Sequence, residues 1–362
     1  MKPIGIGIIG CGLAGSLHAT SYSSYTDPSK VKLIAACDAN ENAAKSMASE
    51  FKMDAYYTDA QKLLERKDID AVSICLPHFL HADVTVAAAK AGKHVLCEKP
   101  MAITLEDCDR MIKAAKEAGV KLMIAENHRF LPAHTLIKQL VNEGRIGEIF
   151  LARAFEGVDG YMSLSKKNSW HFTWDKAGGG TLMDAGVHRC AVLRWLLGDV
   201  AFIRACWLEK QMIKLEDREE DNAMMLMKFK SGAMAEVVVS DTVVSPPSNR
   251  LELYGTEGTI LEDHSWQKPV MVYSTKQGPW NHEWGTLEVE HEPYPGYYEI
   301  SFRNEVQHFI DCILEGKEPQ MSGNDGKAAI EMILMGYLCA KTGKVIERSD
   351  LYSAEARKYG IR

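Results

Sequence analysis

A glycine-rich turn between an apolar segment and a helical segment is the feature that most constrains the fold of this 362-residue chain. Gly10, Gly12 and Gly15 form the pattern G-x-G-x-x-G directly after the apolar segment Ile4–Ile9. Gly10 allows a tight turn, Gly12 lets the backbone approach a pyrophosphate, and Gly15 lets helix and strand pack closely. Unpaired N–H groups at the start of the helix favour an anion. A plain glycine turn is the alternative, but the strand–turn–helix context favours a dinucleotide site.

Short apolar segments and helical patterns alternate through the first third of the chain. Several of the apolar segments are apolar at consecutive positions, which is typical of a parallel sheet covered on both faces by helices. The predicted strands are Ile4–Ile9, Val31–Cys37, 71–76, 94–97 and 121–125, and the predicted helices run to about Tyr25 and over 40–51, 82–91 and Leu105–Ala118. The pattern predicts an α/β, doubly wound parallel Rossmann sheet at the N-terminus.

Strands dominate the chain after about residue 132. A loop at 163–174 and the glycines Gly178–Gly180 precede a helix predicted at 182–197. The other predicted strands are 149–155, 201–208, Asn222–Phe229, 233–239, 250–254 and 259–262, and the closing helices are 298–314 and 327–340. Few helices separate these strands, so we expect a C-terminal α+β domain with a large, mostly antiparallel open sheet. The predicted domains are 1–126 and 127–362, with the boundary between Ala125 and Gly147.

Charge and cysteine content exclude several classes of protein. The formal net charge is −7 and there is no Lys/Arg-rich run, which argues against nucleic-acid binding. No apolar stretch reaches the roughly 18 residues of a membrane helix. The nine cysteines are scattered singly, which is typical of reduced thiols. We expect a soluble, cytoplasmic protein without a nucleic-acid or membrane partner.

Asp38 ends the second predicted strand and bears on the choice of dinucleotide. A carboxylate at this position accepts hydrogen bonds from the adenosine ribose diol and repels a 2′-phosphate. The following residues, Ala39, Asn40 and Glu41, contain no Lys or Arg that would bind such a phosphate. The sequence therefore predicts NAD rather than NADP, although Asp38 could also be an ordinary turn residue.

Three further residues are candidates for the chemistry. Lys99 follows the strand predicted at 94–97 and precedes Pro100, a place where dinucleotide folds bind ligands. Asp184 and His188 are four residues apart on a predicted helix, so they would share a face and could form an acid/base pair. A solvated lysine, a capping aspartate and a packed histidine are the alternatives.

Taken in order, the motifs of the chain resemble the glucose–fructose oxidoreductase/inositol dehydrogenase/rhizopine-catabolism (Gfo/Idh/MocA) family. The resemblance runs from Ile4 to about Trp195, and the closing helices are similar too. It is carried by the turn at Gly10–Gly15, Pro77, the segment Gly92-Lys-His-Val-Leu-Cys-Glu98-Lys99-Pro100, the segment Asn127-His-Arg129-Phe130, and Gly178–Gly180 leading to Asp184 and His188. The family shares this framework across many sugars and cyclitols.

The resemblance implies hydride transfer between the nicotinamide C4 and a secondary carbinol carbon. It also implies that Lys99 contacts the reacting hydroxyl, with Asp184 and His188 beside it. His188 is a natural general base, Asp184 would orient it or hold a neighbouring hydroxyl, and Lys99 would stabilise the alkoxide-like oxygen. Lys99 and His188 could exchange roles. The residues predicted to bind NAD are Gly10, Gly12, Leu13, Ala14, Gly15, Asp38, Leu76, Pro77, His81, Glu98, Lys99 and Asn127.

The substrate site is less well defined by the sequence. Its predicted residues are Lys99, Arg129, Arg153, Trp170, His171, Asp184 and His188. The arginines could hold hydroxyls or pair with carboxylates, and the aromatic loop could stack on a sugar, pack in a core or form an oligomer contact. This loop favours a glucose-like ring or glycoside oxidised at C3. His78 and His81 are spaced like metal ligands but lack a further partner, so no metal is predicted.

The sequence is also compatible with other substrates and functions, and it predicts an assembly. The substrate could be inositol or another cyclitol, the reaction could reduce a different carbonyl such as biliverdin or a dihydrodiol precursor, or the chain could sense NAD without turnover. Lys99, Asp184 and His188 together favour an enzyme. Because the second-domain sheet has too few helices to cover both faces, we expect a homodimer through that sheet, arranged as a dimer of dimers as in many members of the resembling family.

Overall fold

The chain folds into two units, each built around one sheet. The computed structural model describes residues 2–25, 27, 29–159, 170–172, 174–211, 220–292 and 294–361. The first unit contains Met1–Asn127 and Ser301–Lys327, and the second contains His128–Ile300 and Ala328–Arg362. Most of the predicted loop 163–174 lies outside the described residues.

The sheet of the first unit has six parallel strands in the order β3-β2-β1-β4-β5-β6. This is the strand order of dinucleotide-binding folds. The strands are β1 (Ile4–Ile9), β2 (Val31–Cys37), β3 (Ala55–Tyr57), β4 (Ala71–Ile74), β5 (His94–Glu98) and β6 (Leu122–Ala125). The helices up to β6 are α1 (Leu13–Tyr25), α2 (Glu41–Glu50), α3 (Ala60–Leu64), α4 (His81–Lys90) and α5 (Leu105–Ala118).

Local sequence accounts for most of these elements. Every residue of β1, β4 and β6 is buried, as the consecutive apolar runs predict for a sheet covered on both faces. The side chain of Asn40 caps α2, the side chain of Thr104 caps α5, and Gly119 ends α5 in the left-handed conformation. The predicted Rossmann sheet is confirmed. Its edge strand β3 was not predicted, because a three-residue strand carries too little periodicity.

The first unit also includes residues 301–327, which the sequence placed in the second domain. The Ile124 N–H in β6 donates to the carbonyl of Met321 at 2.9 Å, and the Asn127 side chain donates to Ser301 Oγ at 2.8 Å. These residues are nearly two hundred positions apart in sequence, so no local pattern could have indicated their pairing.

In the described part of the chain, the sheet of the second unit has nine strands in the order β14-β13-β12-β11-β7-β10-β9-β8-β15. All its pairs are antiparallel except β7 with β10, which confirms the mostly antiparallel prediction. The strands are β7 (Ile149–Asp159), β8 (Val200–Glu209), β9 (Asn222–Phe229), β10 (Met234–Val243), β11 (Ser248–Gly255), β12 (Gly258–Asp263), β13 (Val270–Ser274), β14 (Trp284–Leu287) and β15 (Ile346–Glu347).

Seven α-helices lie among the described residues from 132 onwards. They are α6 (Pro132–Asn142), α7 (Trp174–Ala177), α8 (Thr181–Asp184), α9 (Gly186–Leu197), α10 (Gly296–Glu315), α11 (Gly323–Thr342) and α12 (Ala354–Lys358). Helix α9 packs against β7 and β10. None of the helices in the described part of the chain is long and apolar enough to cross a membrane.

The two faces of the second sheet differ in composition. Ala152, Ala154 and Glu156 of β7 are buried, whereas Arg153 between them is exposed. Large apolar side chains with at least 37% of their surface exposed also occur on these strands. They are Phe150, Trp207, Met224, Leu226, Met234 and Trp284. The sheet therefore presents apolar surface to solvent in the single chain.

Candidate active site

The glycine turn after β1 has the geometry that its sequence predicts. Gly10 has φ of 99°, and a Cβ there would overlap the carbonyl oxygen of Cys75. A Cβ on Gly15 would overlap the carbonyl oxygen of Gly10, so these two glycines are required by the packing of β1 and α1. A Cβ on Gly12 would meet nothing within 4 Å. The backbone at Gly12 is therefore open, which fits the close approach of a dinucleotide.

Asp38 lies at the end of β2 and is tied to the glycine turn. One carboxylate oxygen accepts the Cys11 N–H at 2.8 Å, and the other accepts the Asn40 N–H at 2.8 Å. Each oxygen retains a second lone pair for a ribose hydroxyl. At the turn itself, Leu13 is 78% exposed and Ala14 is half-buried at the first positions of α1. The exposure of Leu13 and Ala14 and the free lone pairs of Asp38 are compatible with their predicted role in NAD binding.

Lys99 follows β5 directly and is half-buried. Its N–H donates to Oε2 of Glu98 at 3.0 Å, while Oε1 of Glu98 accepts from Nε2 of His18 at 3.0 Å. The chain of hydrogen bonds continues from His18 Nδ1 to Ser73 Oγ and then to the hydroxyl of Tyr22. This buried network holds Glu98 in place beside Lys99. His18 was missed from the sequence because its partners are distant along the chain.

His81 connects two of the predicted cofactor segments. Its Nδ1 lies 2.9 Å from the Pro100 carbonyl and its Nε2 lies 2.8 Å from the Leu76 carbonyl. Burial lowers the pKa of His81, and the two carbonyls act in the opposite direction. Pro77 follows Leu76 and precedes α4. The structure therefore brings Leu76, Pro77, His81 and the Lys99–Pro100 segment together in the first unit.

The triple glycine of the second unit packs against a buried tyrosine and glutamate. A Cβ on Gly179 would overlap the hydroxyl of Tyr337, and a Cβ on Gly180 would overlap the carbonyl oxygen of Glu220. The Tyr337 hydroxyl accepts the Gly180 N–H at 3.1 Å and donates to Glu220 Oε1 at 2.8 Å. Glu220 Oε1 also accepts the N–H of Leu182. This network fixes where α8 begins.

Asp184 and His188 do not share one continuous helix. Asp184 ends α8, Ala185 intervenes, and His188 lies in the first turn of α9. The Ala185 carbonyl accepts the His188 N–H at 3.2 Å, a tighter turn than in an α-helix. Asp184 is half-buried and His188 is 7% exposed. The helix predicted at 182–197 was therefore wrong in its continuity but right in placing both residues at adjacent turns.

His128 stacks on the ring of His188 and was not singled out from the sequence. The ring centroids are 4.1 Å apart and the planes differ by 12°. Nδ1 of His128 accepts from the guanidinium of Arg189, which forms a buried ion pair with Glu156 at 2.7 Å. Burial, followed by the charges of His188 and Arg189, lowers the pKa of His128 well below its ordinary value. His188 thus has a neutral neighbour of fixed orientation.

The two arginines predicted to bind substrate differ in their surroundings, because Arg129 is buried and Arg153 is exposed. Arg129 is buried with its guanidinium 5.2 Å from the centre of the Trp195 ring. Arg153 lies on the opposite face of β7 from Glu156 and pairs with Glu236 at 3.3 Å and Glu252 at 3.4 Å. These ion pairs fit the alternative that Arg153 pairs with carboxylates.

Trp170 and His171 form a stacked pair in the described part of the aromatic loop. Their ring centroids are 3.7 Å apart, and both side chains are half-buried. Trp174 packs edge-on against Tyr337 at 5.4 Å. Trp174 therefore belongs to the packing under the triple glycine, whereas the Trp170–His171 pair offers aromatic surface of the kind that stacks on sugar C–H faces.

Comparison with protein-family models gives two adjacent matches. A model of the Gfo/Idh/MocA oxidoreductase family, NAD-binding Rossmann fold, matches residues 4–126. A model of the GFO/IDH/MocA C-terminal domain matches residues 134–261. The two matches together span the glycine turn, Lys99, Asp184 and His188.

Similar proteins cover nearly the whole chain. A myo-inositol 2-dehydrogenase of Thermotoga maritima is 29% identical over 93% of this chain and 95% of its own length. A 1,5-anhydro-D-fructose reductase of Ensifer adhaerens is 32% identical over 80% of this chain and 83% of its own length. A solved levoglucosan dehydrogenase in complex with NADH and L-sorbose has a TM-score of 0.86 and 26% identity, covering 96% of this chain and 99% of that one.

The motifs, the strand order of the first sheet and both family matches agree. The glycine turn, open at Gly12, and the carboxylate of Asp38 fit NAD, the dinucleotide that the family binds. The chain belongs to the Gfo/Idh/MocA family and is an NAD-binding oxidoreductase.

Proposed function

We propose that this protein is an NAD-dependent dehydrogenase that oxidises a secondary hydroxyl of a sugar, with the C3 hydroxyl of a glucose-like ring or glycoside as the preferred target. The observation that carries the proposal is the set of three groups with acid/base or electrostatic chemistry. Lys99 directly follows β5, and Asp184 and His188 occupy adjacent turns after the triple glycine. A protein that sensed NAD without catalysing a reaction would not need these three groups.

Each of the three side chains has a role that its chemistry supports. His188 removes the hydroxyl proton as a general base, and Lys99 as an ammonium stabilises the negative charge that develops on the oxygen. Asp184 holds a neighbouring hydroxyl or orients His188. The exchange of roles between Lys99 and His188 is an alternative that a pH–rate profile would distinguish. NAD, held by the glycine turn and Asp38, would supply the hydride acceptor for this oxidation.

The surroundings of His188 support its part as a base. His128 stacks on it and accepts a hydrogen bond from Arg189, so the adjacent ring stays neutral and adds no repulsive charge when His188 takes up a proton. Glu156 balances the charge of Arg189 at 2.7 Å. The ion pair and the stacked ring together restrict the orientation of the imidazole.

A glycoside-like substrate is favoured by aromatic surface near the start of α7. The stacked Trp170–His171 pair could pack on the apolar face of a pyranose ring. Relatives are named for levoglucosan and 1,5-anhydro-D-fructose, both anhydro-sugars with a pyranose skeleton. These names support ring-shaped sugars as the substrate class.

Oxidation of a cyclitol is the second candidate. A relative matching 93% of this chain is named myo-inositol 2-dehydrogenase, and another matching 90% is named inositol 2-dehydrogenase. A cyclitol presents secondary hydroxyls with the same chemistry but needs less aromatic surface. Trp170→Ala would therefore weaken glycoside oxidation and leave inositol oxidation little changed.

A substrate panel tests these candidates. Purified protein is incubated with NAD and with glucose, alkyl and aryl glucosides, levoglucosan, myo-inositol and scyllo-inositol, and NADH formation is followed. NMR of the product then gives the oxidised position. A 3-keto sugar confirms the proposal, a keto-inositol supports the second candidate, and oxidation of none of these compounds contradicts both.

We further propose that the exposed face of the second sheet forms a homodimer contact, within a dimer of dimers. The apolar side chains there include Met224, Leu226 and Met234 from two neighbouring strands. A two-fold axis would bury this face against its own copy. Light scattering is expected to give a multiple of 40.3 kDa, and a monomer at micromolar concentration would contradict the proposal.

A further inference from the structure

Two histidines and a glutamate converge in the interior of the second unit. His134 lies on α6, Glu262 lies on β12, and His264 follows that strand. All three residues are at most 3% exposed. One ligand atom from each lies within 4.8 Å of the other two. None of the three belongs to the predicted catalytic or NAD-binding residues.

The hydrogen bond of His134 determines which of its nitrogens carries the proton. Nδ1 lies 2.6 Å from the carbonyl oxygen of His128, so it must donate. A neutral ring then has its lone pair on Nε2. Nε2 faces Oε2 of Glu262 at 3.6 Å. Two groups that both carry lone pairs repel each other unless a proton or a metal ion lies between them.

Glu262 and His264 show the same shortage of hydrogen-bond donors. Oε1 of Glu262 lies 2.5 Å from Nε2 of His264, but the two atoms lack the geometry of a hydrogen bond. Neither Glu262 oxygen and neither His264 ring nitrogen has a hydrogen-bond partner among the described residues. A buried carboxylate without donors is costly, because burial removes its hydration.

The arrangement matches the way that proteins present ligands to zinc. Zinc ligands commonly include histidine nitrogens and carboxylate oxygens at about 2.0–2.2 Å from the ion. Such distances place neighbouring ligand atoms roughly 3–3.5 Å apart in a tetrahedral site. The 3.6 Å between His134 and Glu262 is close to this range, whereas the 2.5 Å between Glu262 and His264 is shorter and would widen around an ion. A metal-bound histidine usually donates its other N–H to a carbonyl, as His134 does to His128.

A fourth nitrogen lies beside the cluster. The His291 ring is 5.8 Å from the His264 ring, and its Nε2 is buried without a hydrogen-bond partner in the described part of the chain. His291 could complete the coordination after a small side-chain rotation, or a water could occupy the fourth position.

We propose that His134, Glu262 and His264 bind one divalent transition-metal ion, with zinc as the best match to their mixed nitrogen and oxygen donors. The ion joins α6 to β12, two elements more than a hundred residues apart in sequence. It also holds the carbonyl of His128 through His134, and thereby fixes the ring that stacks on His188. Its role is structural, because the three ligands are buried. This site departs from the sequence-based expectation that no metal binds.

The alternative is a protonated network in which one imidazolium pairs with Glu262. Such a network needs no metal and would be unaffected by chelators. The two arrangements differ in metal content and in the response of the melting temperature to zinc, so both are measured.

Metal content is measured by mass spectrometry on tag-free protein that has been expressed with added zinc and dialysed. We expect one equivalent of zinc per chain in the wild type. Glu262→Gln and His264→Gln should each retain at least tenfold less. Glu331→Gln is the matched control, because Glu331 is also a buried glutamate of the second unit but pairs with Arg348 at 2.8 Å. This control should retain the full equivalent.

Thermal unfolding of the wild type tests the metal site without any variant, and so it applies even if a variant fails to fold. Prolonged chelation should lower the melting temperature, and zinc, but not magnesium, should restore it. Folded wild-type protein without stoichiometric metal, and with a melting temperature indifferent to zinc, would overturn the proposal in favour of the protonated network. Full retention of zinc by folded Glu262→Gln would place the metal elsewhere and overturn it too.

Discussion

The polar groups of the two units are satisfied in different ways. In the first unit, Asp38 and Glu98 accept N–H groups from the backbone of their own or neighbouring loops. In the second unit, His134, Glu262 and His264 face one another from distant segments and lack such donors among the described residues. A dinucleotide site can therefore be encoded in contiguous motifs, whereas the histidine-rich interior depends on the assembled fold.

Two buried glutamates show the difference most clearly. Burial, with the nearby Glu98 and Glu126, raises the pKa of Glu305 in the first unit well above its ordinary value. Burial also raises the pKa of Glu262 in the second unit, but the imidazoles of His264 and His134 outweigh it and lower the pKa to about 2. The pKa of a buried glutamate is thus raised beside carboxylates and lowered beside histidines.

The largest effect is expected from removing one chemical group from each unit. Lys99→Ala and His188→Ala should each lower kcat by at least roughly 100-fold, the scale of a lost base or oxyanion contact. The affinity for NAD, measured by fluorescence titration, should change little with His188→Ala. Lys90→Ala and His282→Ala, which replace exposed residues, are the matched controls. Near-normal turnover in both active-site variants would show that the motif does not carry the chemistry.

A pair of glycine substitutions separates packing from cofactor binding within the first unit. Gly15→Ala should destabilise the fold by about 1–3 kcal/mol, because its Cβ would overlap the carbonyl oxygen of Gly10. Gly12→Ala should leave stability unchanged or slightly higher, because its Cβ meets nothing within 4 Å. NAD should nevertheless bind Gly12→Ala about tenfold more weakly, a loss of about 1.4 kcal/mol. Denaturant titration and NAD titration check the two effects, and unchanged NAD affinity would contradict the assigned role of Gly12.

Cofactor preference tests whether Asp38 acts on the ribose or only on the turn. The wild type should strongly prefer NAD, and Asp38→Ala should reduce the ratio of kcat/KM for NAD over NADP by about tenfold. Asp59→Ala is a suitable control, because this carboxylate accepts a backbone N–H at the start of α3 as Asp38 does at the turn. Comparable efficiencies with NAD and NADP in the wild type would refute the assignment.

The smallest effect concerns the pH dependence of stability. A carboxyl whose folded pKa is raised favours folding at low pH, and this contribution is lost as pH rises from the ordinary value of 4.5 towards the folded pKa. Glu305→Gln should therefore remove part of the decline in the free energy of unfolding as pH rises above the ordinary value of 4.5. Glu106→Gln, at an exposed position of α5, should leave the decline intact. An identical slope in the wild type and Glu305→Gln would show that Glu305 is ionised in both states.

Local periodicity predicted the bounds of most strands and helices of the first unit to within a few residues. The consecutive apolar runs gave β1, β2 and β4 to β6, and capping residues set the ends of α2 and α5. Local patterns carry no signal for distant pairing, such as that of residues 301–327 with the first unit, or for an element as short as β3. The prediction also missed the interruption of the helix at Ala185.

The sequence by itself indicated the dinucleotide fold and NAD as the cofactor, and it singled out Lys99, Asp184 and His188 as the proposed catalytic residues. These features rest on contiguous motifs, whose backbone geometry is set by glycine, proline and the residues beside them. The tertiary structure alone decided that His128 stacks on His188, that Arg189 pairs with Glu156, and that His134 meets Glu262. Those contacts join segments up to more than a hundred residues apart, and the packing of the sheet and its helices, rather than any local spacing, brings them together.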